Sequence, residues 1–203
     1  MTNPTVPPST SVTPATSTVQ GALAAIDAEL HRTVSSLLEA DPAPFAGALD
    51  RLRTADSVFV SGAGRSGLAL RMTAMRLMHL GLTVHVVGEV TTPAIREADV
   101  LLVASGSGTT SGIVAAATTA DSVGARIAAI STARVSPLAS LADAVVIVPA
   151  AAKLDRSGTA SEQYAGSLFE QAVELIGDAV FHSLWKRSQQ SADELWPRHA
   201  NIE

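Results

Sequence analysis

The chain has no cysteine, few aromatics, no surplus of positive charge and no apolar run long enough to cross a bilayer. Each absence removes a class of function. Without cysteine there is no thiol nucleophile, no disulfide and no thiolate metal site, and the composition suits a reducing, cytoplasmic location. A formal net charge of −5 argues against a nucleic-acid partner, which would need a basic face to neutralise phosphates. The first residues lack the basic start and apolar middle of a secretory leader, so neither export nor a membrane partner is expected. Aromatics are 3 % of residues while apolar residues are 47 %, so the core must come mainly from Ala, Val, Leu and Ile. Such small faces let helices approach closely, which suits layered helices and association through them.

At 203 residues the chain has room for one α/β domain, without a separate cofactor or substrate domain. Residues 1–18 are rich in Pro, Ser and Thr and read as a disordered tail, leaving 19–203 as the domain. Leu23, Ile26, Leu30, Val34 and Leu37 recur at helical spacing within a helix from Val19 to Leu38. Asp41-Pro42 offers a cap and first-turn proline for a second helix ending at Thr54. The period then changes. Short apolar runs at Val58–Val60, Val84–Val87, Val100–Ala104, Ile127–Ile130 and Val145–Val148 read as strands. Helices are expected between them at Leu68–Leu80, near Pro93, at Ser111–Val123 and at Pro137–Leu141. A polar stretch from Lys153 precedes a long helix from Leu168 to about Arg187, and a short helix ends the chain. Five short strands, apolar on both faces apart from His85, alternating with helices, predict a five-stranded parallel sheet with helices on both faces, a three-layer flavodoxin-like sandwich. Ligands of such sheets bind beyond the carboxyl ends of the strands.

Two segments lie at such ends. Gly62-Ala63-Gly64-Arg65-Ser66-Gly67 fits G-x-G-x-x-G after a strand, with Glu89 at about the distance of a ribose-binding acid. A dinucleotide reading leaves the second segment without a purpose and lacks a substrate domain. Ser105-Gly106-Ser107-Gly108-Thr109-Thr110 puts four hydroxyls and two glycines before a helix. Glycines admit close backbone approach, a helix start offers free N–H groups, and hydroxyls donate further bonds, which together suit a phosphate monoester. One hydroxyl would suffice for helix capping; four exceed it. Two such loops on one edge point to a compact ligand held between them.

The Gly62–Gly67 loop and the S-x-S-x-x-T arrangement of Ser105, Ser107 and Thr110 resemble the sugar isomerase (SIS) domain family. Gly64-Arg65-Ser66-Gly67, Val87-Gly88-Glu89, Gly166-Ser167-Leu168-Phe169-Glu170 and Arg198-His199-Ala200 are similar to its 6-phospho-3-hexuloisomerase branch. The resemblance runs from about Val19 to Glu203. It implies an enzyme that converts D-arabino-hex-3-ulose 6-phosphate to fructose 6-phosphate through an enediol, with no metal and no redox cofactor. Substrate binding is implied for Gly64, Arg65 and Ser66 and for Ser105, Gly106, Ser107, Gly108, Thr109 and Thr110. The resemblance makes Glu170 the proton acceptor. By spacing alone, Ser167 and Glu170 form a capping box, which would explain both through helix stability. His199 is the candidate proton shuttle between the oxygens, a task suited to imidazole near neutrality. His79 and His85 read as structural, His182 as a packing histidine, and Arg71 and Arg76 as a solvated or subunit-pairing helix face. Trp185 and Trp196 read as packing anchors. The resemblance further implies a homotetramer with sites near subunit boundaries. Two alternatives carry forward: a SIS module that senses a sugar phosphate without turning it over, and an arabinose-5-phosphate isomerase.

Overall fold

In the computed structural model, which describes residues 18–151, 155 and 161–202, alternate residues of the central strands face two separate cores. Strand β3 (Val100–Ala104) is the clearest case: Val100, Leu102 and Ala104 join one core, Leu101 and Val103 the other. A strand buried on both sides has no place for polar residues, which is why these runs are continuous in the sequence. The remaining strands are β1 (Val58–Gly62), β2 (Val84–Val86), β4 (Arg126–Ser131) and β5 (Ala144–Ile147). All pair in parallel, in the order β2-β1-β3-β4-β5. This is the expected sheet.

Helices α1 (Val19–Glu39), α2 (Ala43–Thr54), α3 (Gly64–His79) and α6 (Ser167–Ser188) are followed on the opposite layer by α4 (Ser111–Ser122) and α5 (Pro137–Leu141). Leu52, Leu70, Leu77 and Val173 close the first core; Ile113, Ala117, Ala120 and Leu138 close the second. Leu70 and Leu77 are almost wholly buried, so truncating either to Ala would cost about 2–5 kcal/mol. Among the described residues no helix is long and apolar enough to cross a membrane. Residues 1–17 of the expected tail lie outside the described residues, as do 152–154 and 156–160 in and beside the polar stretch. Thr18 already belongs to the fold: its hydroxyl accepts the Gly21 N–H at 3.0 Å and caps α1.

Three expectations are corrected. No helix forms near Pro93; residues 87–99 run through turns, with Glu89 N–H on Val86 O and Thr92 N–H on Glu89 O. The Asp99 carboxylate takes the Arg96 N–H at 2.8 Å, and such local side-chain bonds compete with helix formation. Helix α3 begins at Gly64 rather than Leu68, because the first apolar contact marks where a helix becomes buried and not where it starts. Trp196 is 69 % exposed and anchors no core, whereas the Trp185 indole N–H donates to Gln190 O at 2.7 Å.

Candidate active site

The strand order reverses between β1 and β3: the chain leaves β1 for β2 on one side, then returns past it to β3 on the other. Such a switch point opens a crevice at the carboxyl ends of the two strands. Here β1 and β3 are paired to their last residues, Gly62 opposite Ala104. Both hydroxyl- and glycine-bearing segments therefore start side by side, about one strand spacing (~4.8 Å) apart.

After β1 the chain passes through extended Ala63 directly into α3, so Gly64, Arg65 and Ser66 form its first turn instead of a free loop. The first turn of a helix has backbone N–H groups without intrahelical partners, so the anion-binding logic survives this correction. Gly67 sets the approach: a Cβ there would collide with the Gly62 carbonyl, so only glycine lets this turn lie on the strand end. Ser66 is half-buried, and Arg65 is exposed.

After β3, Ser105 is buried, while Ser107, Thr109 and Thr110 are exposed. Thr110 is the N-cap residue of α4 but makes no side-chain capping bond; its hydroxyl pairs with Ser105 Oγ at 3.2 Å. Ser107 Oγ accepts from Thr109 N–H at 3.2 Å and from the Thr109 hydroxyl at 2.9 Å. Helix capping alone thus leaves this hydroxyl cluster unexplained. Gly108 has φ +64°, and a Cβ on it would strike the Ser136 hydroxyl beneath, so the loop is drawn down tightly there. Ser131, Thr132 and Ser136 escaped the sequence reading. The Gly106 carbonyl accepts from Ser131 Oγ at 3.1 Å and from Thr132 Oγ1 at 2.8 Å, so the end of β4 holds the loop. Their only signal was a serine–threonine pair following an apolar strand.

Helix α6 supplies the carboxylate. Gly166, its N-cap, makes no side-chain capping bond, and the Ser167 hydroxyl donates to Tyr164 O at 2.7 Å. The capping box expected from Ser167 and Glu170 is therefore absent; a complete one occurs at Ser191 and Glu194. Glu170 instead turns to Arg65, whose Nη1 donates to its Oε2 at 2.8 Å and to Ser167 Oγ at 3.1 Å. The Arg65 side chain is 60 % exposed and that of Glu170 19 %. A pair so open to water contributes at most about 1 kcal/mol of stability, so its main effect is orientation. The Phe169 ring lies against Gly106, 3.5 Å from where a Cβ would sit, bringing the start of α6 onto the second loop. Arg65, Leu68, Met72, Glu170, Gln171 and Glu174 line a groove between α3 and α6.

His199 is not part of this cluster. Its ring stacks on His79, centroids 3.9 Å apart, and touches Trp196 at 4.7 Å. Arg198 fixes it there through bonds to His79 O at 3.3 Å and Glu194 O at 3.1 Å. His79 and Arg65 are fourteen residues apart on α3, roughly 21 Å along a helix axis. Burial, then the nearby charges of His199 and Arg76, hold the His79 pKa below its ordinary value. Glu89 is ion-paired with Arg71 at 2.7 Å, which accounts for Arg71 within the chain itself. His85 packs on Phe59, while His182, on the exposed face of α6, meets Trp185 edge-on.

A doubly wound parallel sheet, with two glycine- and hydroxyl-bearing turns at its switch point and the Arg65–Glu170 pair beside them, defines an α/β domain of the flavodoxin-like topology. The chain belongs to the SIS domain family, which matches residues 51–173. It is 66 % identical over 146 residues to a 3-hexulose-6-phosphate isomerase of Mycobacterium gastri, covering 72 % of this chain and 73 % of that one. It is 34 % identical over 176 residues to the enzyme of the same name from Bacillus subtilis, covering 86 % and 94 %. A solved structure from Methanococcus jannaschii, described as inferring 3-hexulose-6-phosphate isomerase function, matches with a TM-score of 0.75 at 28 % identity. That match covers 90 % of this chain and 99 % of the other.

Proposed function

We propose that the chain is an isomerase that interconverts 3-hexulose 6-phosphate and fructose 6-phosphate. The observation that carries the reading is Glu170, a carboxylate with no capping duty, held by Arg65 beside the hydroxyl-rich turn. The two curated relatives bearing the same activity in their names support it, and neither favours a sensor or an arabinose-5-phosphate isomerase.

The reaction moves a carbonyl from C3 to C2. Glu170 takes the proton from C2, whose electrons form the C2=C3 bond as the C3 oxygen gains a proton. The resulting enediol loses the proton on its C2 oxygen, and Glu170 returns its own proton to C3. The balance needs no redox partner. Ser105–Thr110, with the first turn of α3 at Gly64, Arg65 and Ser66, cradles the phosphate. That grip fixes the reacting carbons relative to the carboxylate. His199 relays protons between the oxygens in the site of a neighbouring subunit, since in its own chain it is anchored at the far end of α3. The assembly is a homotetramer with sites near subunit boundaries, working in the cytoplasm.

The test is a coupled assay with purified full-length protein and 3-hexulose 6-phosphate, read as fructose 6-phosphate formed. Folded protein that yields none, while arabinose 5-phosphate is turned over, would sink the assignment.

A further inference from the structure

Helix α1 carries one carboxylate that its amphipathic pattern does not explain. Glu29 is 5 % exposed, and burying a carboxylate is costly unless donors surround it. Three do. Ser161 Oγ donates to Oε2 at 2.7 Å, Gln163 Nε2 to Oε2 at 3.0 Å, and the Glu162 N–H to Oε1 at 2.7 Å. Ser161 Oγ also accepts the Gln163 N–H at 3.0 Å, which closes the cluster. Burial raises the Glu29 pKa, but these bonds and the charge of Arg32 outweigh it and leave the carboxyl below its ordinary value. The group is thus an ionised clamp on residues 132 to 134 positions further along the chain.

The clamped residues lead straight into α6. After Gln163 come Tyr164, Ala165 at φ 45° and Gly166 at φ 87°, two consecutive left-handed residues that turn the chain into the helix. A left-handed alanine costs about 1–2 kcal/mol and persists only where its surroundings fix it. Downstream, Ser167 fixes the reversal through its bonds to Tyr164 O. Upstream, the fixing group is Glu29. Three residues past Ser167 stands Glu170.

We infer that Glu29 is a positioning residue for the isomerisation: by clamping residues 161–163 across the Ala165–Gly166 reversal, it sets how α6 presents Glu170 to the sugar. This rests on Glu170 being the base. A displacement of about 1 Å at a reacting group can cost up to a hundredfold in rate, so a clamp on the approach to α6 is felt at the chemistry.

Glu29→Gln keeps the shape but turns one acceptor into a donor facing donors, and Ser161→Ala removes one donor from the opposite side. Steady-state kinetics on both variants, in the full chain, test the idea. Glu29→Gln is expected to lower kcat roughly ten- to hundredfold, with KM and competition by inorganic phosphate within about twofold. Ser161→Ala is expected to lower kcat in the same direction by less, and to decide the matter alone if Glu29→Gln fails to fold. Amide hydrogen exchange should quicken at residues 162–170 and stay unchanged in β3. Glu170→Gln, measured in parallel, separates the two claims. If it abolishes turnover while the clamp variants keep wild-type kcat, the Glu29 inference alone is overturned. If it retains turnover, the base assignment and the inference fall together. A Glu29→Gln/Glu170→Gln double variant should be no slower than Glu170→Gln, because a positioning residue has nothing left to position. A further tenfold fall there, or a raised KM with intact kcat, overturns the inference.

Discussion

Replacing Glu170 by Gln leaves the start of α6 intact, because no capping bond depends on that carboxylate. Folding and KM should therefore stay near normal, while kcat falls roughly a hundred- to ten-thousandfold for want of a general base. Exchange of the substrate C2 hydrogen with deuterated solvent should stop as well; turnover within about threefold of wild type would place the base elsewhere. Arg65→Met separates the partner's role from stability. It should shift unfolding free energy by no more than about 1 kcal/mol, as for other exposed pairs. Its kcat should nonetheless fall, since Glu170 loses the donor that aims it. In the sequence, the catalytic role proposed for Glu170 rested only on family resemblance. Its spacing to Ser167 is that of a capping box, and Ser191 and Glu194 have the same spacing and do form one. The difference lies in Gly166, which takes the cap position, and in Arg65, which comes from another helix; neither is visible locally. Glu29 was missed for a related reason: its donors lie more than 130 residues away.

Among the elements, the central strands β1, β3 and β4 were readable because burial on both faces demands apolar runs, and the order of strands and helices left few ways to add the edge strands. What could not be read was the boundary of α3, whose first turn is polar because it faces the crevice. The missing helix near Pro93 gave way to turns stabilised by Asp99 and Thr92. The turn after β3 carries two predictions. Ser105→Ala with Thr110→Ala should raise KM far more than it lowers kcat, since contacts remote from the reacting carbons bind ground and transition states alike. An unchanged KM, or failure of inorganic phosphate to compete in wild type, would remove the phosphate from this turn. Gly108→Ala faces both a left-handed backbone and the Ser136 hydroxyl. A loss of about 1–3 kcal/mol is expected, read as a lower Tm. A variant with wild-type Tm would mean that the turn is looser than described.

For the whole molecule, the stacked His79–His199 pair ties the end of the chain to the end of α3. His79 is buried beside Arg76 and His199, and its pKa is held below the ordinary 6.5. The unfolded chain therefore binds a proton there before the folded one does. Stability from this group is fully present above about pH 6.5 and declines as pH falls towards the depressed value. Melting curves between pH 7.5 and 5 should show a falling Tm, and His79→Gln should flatten the slope; an unaltered slope would assign it to other groups. The same anchoring separates Arg65 from His199 by most of the length of α3. If His199 serves a neighbour, mixing inactive Glu170→Gln and His199→Asn subunits should restore part of the activity. No recovery in a verified mixed oligomer would end that arrangement. A site completed by two chains also obeys mass action. Turnover per subunit would then depend on how much enzyme is in the cuvette, falling on dilution as partners separate and returning with a lag when the solution is concentrated again.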